Sequence, residues 1–312
     1  MVTVSEETTV DYELTARIAT EAFALGEVQF SAERIKWLYE RGFGRGTTVL
    51  AAFDDRRKIG QIALIGQNVC VGGELHAAVQ LVDLFILQAY RSTHLVRKLY
   101  QEVEKLCAAQ NIRYMLALPN EKSAPLNARF LKLSPVLWMP IRAGMSLRRS
   151  ASSTIVHSGL LRSMTREQAI GLLSPFIGPA EGNGSHWEAT TLYDRLDDPT
   201  RDYAVHATTN LLLVSSRRTT RGVSYTMLSA FFVRPSAKPG EQEVDELVRA
   251  ACRHWRQVPF VYAGANDRLP KLPGTPLTAR LRRPILVQLR DVGTEAHDIR
   301  FDRFQLIDSD FA

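Results

Sequence analysis

Two short stretches of the sequence carry side chains with catalytic or binding chemistry. In AAVQLVDLFIL, residues 77–87, Asp83 is the lone acid of an apolar run. Burial of such a carboxyl group raises its pKa toward the range of a general base. The stretch RSTHLVR, residues 91–97, opens an amphipathic helical pattern. Because the first N–H groups of a helix attract anions, this stretch is a candidate phosphate site.

Each candidate also has a purely structural interpretation. Asp83 fits equally well as a buried, hydrogen-bonded residue that only stabilises its strand. The second stretch fits a solvated helix start in which Ser92 or Thr93 is the N-cap, the basic residues are exposed and His94 is a surface histidine. Both pairs of interpretations stay open at the level of the sequence.

The elements around these stretches predict an α+β sheet. Two segments with helical spacing open the chain, and Ser31 is the predicted N-cap of the second: YELTARIATEAF (12–23) and SAERIKWLYERGF (31–43). Three β-branched and apolar runs then predict an antiparallel meander: TTVLAAFD (47–54), KIGQIALIGQNVCVGG (58–73) and ELHAAVQLVDLFIL (74–87). A helix with Leu95, Leu99, Val103 and Leu106 on one face leads to the buried strand YMLALP, which predicts a crossover between parallel strands.

The second half of the sequence repeats this order. EQEVDELVRAACRHW and FVYAGAND correspond to the crossover helix and to YMLALPNE. Tyr39 aligns with Tyr193 and Asn120 with Asn266 at nearly constant offsets, because 193 − 39 = 154 and 266 − 120 = 146. We therefore predict a duplicated unit, each copy a mixed, mostly antiparallel sheet flanked by helices. The Ser-rich interval 148–159 predicts a linker between domains 1–147 and 160–312.

The order of elements resembles that of the GNAT superfamily of N-acyltransferases. The resemblance rests on two helices, a meander, the strand VDLFILQAYR, a crossover helix, the strand YMLALPN and a helix that starts near an Asn. It runs through residues 12–147 and is fainter in the second half. It implies that the strand end and the following helix embrace acyl-CoA as co-substrate.

In that superfamily a Tyr-Arg-Gly-x-Gly-x-Gly pattern supplies backbone N–H groups to the pyrophosphate. Tyr90 and Arg91 match the pattern here, whereas its glycine positions hold Ser92, His94 and Val96. A Cβ at a tight approach pushes a phosphate outward, but the backbone donors remain. The cofactor-binding residues that the resemblance implies are Phe85, Ile86, Leu87, Arg91, Ser92, Thr93, His94, Leu95, Val96, Arg97, Asn120, Ser123 and Asn127.

Acyl transfer to an amine needs a base for the ammonium proton and an acid for the departing thiolate. Asp83 is the candidate base. The segment NEKSAPLN matches the superfamily's Asn-x-x-Ala/Ser-x-x-Leu-Tyr pattern, with Asn127 where its tyrosine acid stands. Because Asn supplies no proton, water, a tyrosine such as Tyr90 or Tyr114, unassisted departure and absent chemistry all stay open.

The resemblance thus implies an N-acyltransferase that moves an acetyl or other acyl group from acyl-CoA to an amine of a small polar acceptor. The alternative is a catalytically silent tandem scaffold that binds a ligand or a protein. In the second half, VRPSAKPGEQEV has two prolines without N–H groups, and we do not expect CoA there. The acceptor, the acyl length and the oligomeric state stay open.

Composition excludes other classes. The 312 residues carry 39 Lys and Arg against 33 Asp and Glu, and the net charge of +6 is scattered along the chain. The basic runs RRTTR and ARLRRP lack aromatic residues, which argues against nucleic-acid binding. No nucleotide-loop motif or zinc spacing occurs. Three unpaired-looking Cys residues and the lack of a signal peptide or membrane anchor predict a cytoplasmic protein without a resident metal.

Overall fold

The computed structural model describes residues 1–23, 30–146, 154–179, 181–278, 282–293 and 299–311. The helices in these ranges are α1 (Tyr12–Phe23), α2 (Ala32–Glu40), α3 (Thr93–Ala109), α4 (Ser123–Phe130), α5 (Arg166–Leu173), α6 (Ala189–Leu196) and α7 (Glu241–His254). The strands are β1 (Val2–Glu6), β2 (Thr47–Asp54), β3 (Arg57–Val71), β4 (Glu74–Ile86), β5 (Tyr114–Ala117), β6 (Ser134–Met139), β7 (Ile141–Met145), β8 (His157–Leu160), β9 (Gly184–His186), β10 (Ala204–Ala207), β11 (Leu211–Thr220), β12 (Val223–Val233), β13 (Pro259–Asn266), β14 (Thr275–Pro276), β15 (Ile285–Asp291) and β16 (Arg303–Gln305).

The first compact unit contains Met1–Val69, Leu75–Leu137 and Leu286–Ile299. Its strands β1, β2 and β3 pair antiparallel, and β4 lies next to β3. β4 then pairs in parallel with β5 from Ala78↔Tyr114 to Leu81↔Ala117, and α3 makes the crossover between them. The predicted crossover between parallel strands is confirmed.

Helix α3 is positioned by its cap and by one apolar face. Ser92 is the N-cap, and its Oγ accepts a hydrogen bond from Leu95 N at 3.2 Å. Leu95, Leu99, Val103 and Cys107 recur every four residues and are buried in the core of the unit. Burial of a leucine contributes about 1.5–3 kcal/mol, so this face fixes the helix against the sheet.

The second compact unit contains Cys70–Glu74, Trp138–Ile285 and Arg300–Ala312. Strands β8, β10, β11 and β12 pair antiparallel in that order, and β12 pairs in parallel with β13 after the crossover helix α7. Helix α7 buries Val244, Leu247, Val248, Ala251 and Cys252 on one face. The predicted α+β class with two copies of a mixed sheet is confirmed.

Each unit completes its sheet with a strand from the other half of the sequence. In the first unit β5 pairs antiparallel with β15, from Gln288↔Ala117 to Asp291↔Tyr114. In the second unit β13 pairs antiparallel with β7, from Pro259↔Met145 to Ala263↔Ile141. The strand next to the crossover strand therefore comes from residues 285–291 in one copy and from residues 141–145 in the other.

Because of these strands from the other half of the sequence, the compact units differ from the predicted domains 1–147 and 160–312. Leu286–Ile299 belongs to the first unit, and the chain enters the second unit at Trp138. Of the predicted linker 148–159, residues 148–153 lie outside the described residues, while residues 157–159 are in β8 and pair with β10. Local composition marks a polar interval, but it carries no information on which sheet edge a neighbouring strand completes. None of the helices described above combines the length and the apolar character needed to cross a bilayer.

Candidate functional site

A cavity of about 750 Å³ lies in the first unit where β4 ends and α3 and α4 begin. Its described lining residues come from the last turn of α1, the end of β4, the start of α3 and the start of α4. They are Ala22, Phe23, Leu84, Phe85, Ile86, Arg91, Ser92, Thr93, Val96, Asn120, Glu121, Lys122, Ser123 and Leu126. The cavity is thus an apolar cleft with polar groups at two helix starts.

The cavity forms because β4 continues where its pairing with β5 stops. The parallel pairing ends at Leu81↔Ala117, and β4 runs on to Ile86. On its other side the chain stays close to β3, since Leu87 N donates to Ile59 O at 2.8 Å. A strand end beside an open groove is a surface along which an extended ligand can form backbone hydrogen bonds.

Asp83 lies within β4 just before the lining residues and is not itself one of the described lining residues. Its φ of 49° is left-handed, a conformation that Asp adopts more readily than β-branched or large apolar residues. A left-handed residue inside a strand breaks the regular alternation of side chains and re-aims the residues that follow. Leu84, Phe85 and Ile86 line the cavity directly after this irregularity.

The carboxyl group of Asp83 belongs to a hydrogen-bonded network. Tyr39 Oη donates to Asp83 Oδ2 at 2.7 Å, and Gln61 Nε2 donates to Tyr39 Oη at 2.8 Å. Burial raises the pKa of Asp83 above the usual aspartate value, while the Tyr39 hydrogen bond and the positive charge of Arg34 act in the opposite direction. The sequence offered a base-like Asp or a hydrogen-bonded structural Asp, and this carboxyl group has the features of both.

The start of α3 is free of acidic side chains. Its first turn has no Asp or Glu, and Ser92 acts as N-cap, as one of the two sequence interpretations expects. The first N–H groups of a helix have no acceptor within the helix, so those of Thr93 and His94 can donate to an anion. Lys122, at the start of α4, adds a cationic side chain to the same cavity.

The equivalent helix start in the second unit is filled by its own carboxylates. Glu241 and Glu243 lie in the first turn of α7. Glu243 accepts hydrogen bonds from Gly240 N at 3.0 Å, from Thr208 Oγ1 at 2.9 Å and from Asn210 Nδ2 at 3.3 Å. A carboxylate held at the helix start in this way repels a second anion.

Arg91 contacts the protein itself as well as the cavity. Its Nε donates to Ile86 O at 3.1 Å, and its Nη2 donates to Ala22 O. The side chain thereby joins the end of β4 to the end of α1. The resemblance implied Arg91 as a cofactor-binding residue; the structure places it in the cavity lining and also bonds it to two backbone carbonyls of the cavity walls.

The structure brings together Phe85, Ile86, Arg91, Ser92, Thr93, Val96, Asn120 and Ser123 of the predicted cofactor residues. The others do not line the cavity among the residues described. Leu87 and Leu95 are buried in the core, and His94 and Arg97 are exposed on α3. Helix α3 buries Leu95 and Leu99 against the sheet, so the side chains of His94 and Arg97 lie on other faces of the helix and are exposed.

Asn127 does not lie at the cavity and is part of the buried structure. It is 4% exposed, its Oδ1 accepts from Tyr100 Oη at 2.5 Å, and its Nδ2 donates to Gln288 Oε1 at 3.2 Å. Gln288 belongs to β15. The amide therefore links α4, α3 and the strand from the distant half of the sequence. Neither Tyr90 nor Tyr114 is among the described lining residues, and Tyr90 Oη donates to Asp54 Oδ2 at 3.1 Å.

Sequence reasoning missed several lining residues and the partner of Asp83. Phe23 lines the cavity from α1, stacks on Phe30 at 5.2 Å and meets the edge of Phe85 at 6.3 Å. The signal was the aromatic residue that ends the apolar face of the first helix. Tyr39 entered the sequence analysis as a landmark of the repeat, and nothing local in the sequence ties it to Asp83.

The second landmark has the same local role in both copies. Asn120 Oδ1 accepts from Lys122 N at 2.9 Å and from Ser123 N at 3.0 Å, just before α4. Asn266 Oδ1 accepts from Arg268 N at 3.2 Å, at the end of β13. Both residues cap the turn that follows the crossover strand.

Comparison with solved structures identifies proteins of the same fold. A probable N-acyltransferase from Enterococcus faecalis V583 superposes with a TM-score of 0.67 at 12% identity, over 94% of this chain and 73% of that one. The tandem GNAT protein of the clavulanic acid biosynthesis pathway gives 0.57 at 11% identity, over 95% and 100%. Saccharomyces cerevisiae N-myristoyltransferase with bound myristoyl-CoA gives 0.61 at 12% identity, over 98% and 83%.

These likenesses extend over nearly the whole chain and concern the fold. No family model matches the sequence, and no curated protein matches it either. At 10–14% identity the shared property is the architecture, and the chemistry has to be argued from the residues of the site.

The close approach of β3 to the end of β4 gives a first prediction. A Cβ on Gly60 would lie 2.6 Å from Phe85 O and 3.0 Å from Ile86 Cα, so Gly60→Ala must displace the strand end that lines the cavity. We expect the free energy of unfolding to fall by about 1–3 kcal/mol, measured by urea denaturation. Gly171→Ala is the matched control, because no atom lies within 4 Å of its added Cβ in α5. The control should be stabilised by up to about 1 kcal/mol, and equal stability of the two variants would contradict the packing argument.

The raised pKa of Asp83 gives a second prediction. Its folded pKa lies above the unfolded value of about 3.9, so the unfolded state binds fewer protons and stability falls as pH rises between the two values. Asp83→Asn keeps the shape and a hydrogen-bond acceptor for Tyr39, and it tolerates φ of 49°. The variant should therefore melt above the wild type at pH 7.5, and the difference should shrink toward pH 4. A difference that is independent of pH, or a less stable variant at pH 7.5, would show that the carboxylate is not penalised by burial.

Proposed function

From the tandem GNAT fold of this chain we infer that the first unit binds acyl-CoA and transfers its acyl group to an amine of a small polar acceptor. The observation that carries the proposal is the 750 Å³ cavity in which the end of β4, the start of α3 and the start of α4 meet. Each of these elements contributes residues that the resemblance assigned to the cofactor. The related folds include an N-myristoyltransferase with bound myristoyl-CoA and a tandem GNAT protein.

The pyrophosphate of the cofactor is assigned to the start of α3. Backbone N–H groups of Thr93 and His94 and the hydroxyl groups of Ser92 and Thr93 are donors there, and Lys122 supplies positive charge. The Cβ atoms of Ser92, His94 and Val96 stand where the superfamily has glycines. They hold the phosphate further from the backbone, and the side-chain hydroxyl groups reach across that distance.

The pantetheine arm is assigned to the groove beside the end of β4. Leu84, Phe85 and Ile86 form one wall, with Phe23 and Val96 opposite in the same cavity. These side chains exclude water from the thioester, while the strand backbone offers amide groups to the extended arm.

Asp83 is assigned as the general base. It accepts the proton of the acceptor's ammonium group, the free amine attacks the thioester carbonyl, a C–N bond forms and the C–S bond breaks. The coenzyme leaves as a thiolate, and the second proton lost by the attacking nitrogen passes to it through water. A carboxyl group with a raised pKa is a stronger base than an ordinary aspartate, and Tyr39 binds its Oδ2, which leaves Oδ1 to accept the proton.

The second candidate function is a silent scaffold of the same fold. The observation in its favour is the corner itself, where three glycine positions carry side chains and Arg91 is bound to two backbone carbonyls. A corner adapted in this way keeps the fold and loses the cofactor. Direct binding measurements separate the two functions.

The backbone donors of α3 give a third prediction. Thr93 is the first residue of the helix, and Ser92 before it is extended at φ −151° and ψ 149°, so Thr93→Pro fits the helix start and deletes the N–H group together with the Thr93 hydroxyl group. By isothermal titration we expect CoA to bind the wild type and to bind Thr93→Pro about tenfold or more weakly, because a charge-assisted hydrogen bond is lost. Arg166→Pro makes the same change at the first residue of α5, after the extended Thr165, and should bind CoA like the wild type.

Two results would contradict this assignment. A wild type that does not bind CoA supports the silent scaffold. Equal affinity of the wild type and Thr93→Pro, with both variants melting normally, would place the pyrophosphate away from α3.

The base gives a fourth prediction. With acetyl-CoA and a panel of amino sugars, amino acids and polyamines, release of the coenzyme thiol should fall about a hundredfold or more in Asp83→Asn, while CoA affinity is unchanged. Tyr39→Phe removes the hydrogen bond that lowers the pKa of Asp83, so its rate–pH profile should move to higher pH. Normal turnover in Asp83→Asn would return this residue to a structural role.

A further inference from the structure

We propose that the second unit has a site for a dianionic phosphate group, on the face of its sheet where β11 extends beyond the end of α7. A cavity of about 520 Å³ lies there. Its basic lining residues are Arg201, Arg217, Arg256 and His254. All of them belong to the second unit, so this site is independent of the CoA site proposed for the first.

The strand and the helix explain why a cavity forms. Leu211 and Leu213 of β11 pack with Val244 and Leu247 of α7 in the core of the unit. Further along β11, beyond the last turn of the helix, Arg217 and Thr219 line the cavity instead. Apolar contact between strand and helix ends where the helix ends, and the strand continues with polar residues.

Two segments form the walls. His254 ends α7, and Trp255 and Arg256 follow it; Arg256 has a left-handed φ of 54°. On the other side, Thr200 and Arg201 precede β10, whose Ala204 pairs with Ser215 of β11. Three arginines from three different segments therefore converge on one cavity.

One of these guanidinium groups is poorly satisfied by the protein. Nη1 of Arg201 is buried, and no residue that the structure describes accepts a hydrogen bond from it. Asp202, the acidic residue of the described lining, is already in an ion pair with Nη1 of Arg162. A buried cationic donor without an acceptor is unfavourable, so the Arg201 guanidinium group favours an anion close to it.

Guanidinium geometry indicates the ligand class. The planar fork of Arg matches two oxygens of a phosphate at once, and three such groups exceed the charge of a single carboxylate. The C-terminal carbonyls of α7, which would repel an anion, are engaged: Trp255 N donates to Ala251 O at 3.1 Å and Arg256 N donates to Arg253 O at 3.1 Å.

The aromatic wall favours a phosphate with an organic group attached. Trp255 Nε1 donates to Ser215 Oγ at 2.9 Å, and its ring lies 4.8 Å from that of His254. The indole is thereby fixed at the cavity rim and offers a flat apolar surface next to the arginines.

The test is isothermal titration of the full chain at constant ionic strength, with inorganic phosphate and with phenyl phosphate as probes. Saturable binding is expected in the wild type, weakened about tenfold or more in Arg201→Gln and in Arg217→Gln. Arg221→Gln is the matched control, since Arg221 is exposed in the turn between β11 and β12 and does not line the cavity. Tighter binding of phenyl phosphate would identify a phosphomonoester as the ligand, and equal binding would identify inorganic phosphate.

Other results would overturn the site. They are the absence of saturable binding in the wild type, equal weakening in Arg221→Gln, or no weakening in either cavity variant. Phosphate binding that is lost in Thr93→Pro and kept in Arg217→Gln would place the anion in the first unit. Because Arg217 is exposed, its variant remains informative if loss of the partly buried Arg201 prevents folding.

Discussion

The structure of the candidate site depends on the early end of parallel pairing between β4 and β5. The register runs through four pairs and stops at Leu81↔Ala117. Beyond that pair, the left-handed Asp83 changes the course of β4, and Gly60 lets the Phe85 carbonyl approach β3 to a distance that a Cβ would not permit. The strand end is thus held on one side only. The cavity, the exposure of its backbone groups and the position of the following helix all result from this one-sided pairing.

The same architecture carries different side chains at the helix start in the two copies. In both, a crossover helix follows a strand of the meander and returns to a parallel neighbour. The first turn of α3 has no acidic side chain, whereas Glu243 in the first turn of α7 accepts the N–H group of Gly240. A carboxylate in the first turn makes a helix start unfavourable for a second anion. In the second unit, cationic groups gather at the opposite end of the helix instead.

The sequence predicted the opening helices, the meander, the crossover, the duplication and many of the residues that line the cavity, because these follow from local periodicity and from turn residues. Ser31 and Ser92 act as N-caps as their positions indicate. The long-range partners were beyond such reasoning. Nothing near Asp83 in the chain indicates Tyr39, 44 residues away, and nothing near Asn127 indicates Gln288, 161 residues away. The strands β15 and β7, which complete the sheet of the unit formed mainly by the other half of the sequence, were missed for the same reason. Their pairing depends on sheet edges that form only in the folded chain.

The corner at residues 90–97, where we propose a phosphate site, has no glycines and still has backbone donors. A glycine contributes close approach, but the donors belong to the backbone, and every residue except proline supplies them. Ser92 caps the helix, which keeps the next N–H groups pointing along the axis toward an anion. Arg91 meanwhile binds Ile86 O and Ala22 O, so its charge lies at the cavity wall while its guanidinium fixes the two segments that frame the groove. Loss of glycine flexibility is thus accompanied by added rigidity in the surrounding walls. Such a corner lacks the closest contact with a phosphate. It keeps the positive electrostatic field of the helix start and the preorganised N–H donors, and charge-assisted binding depends on both.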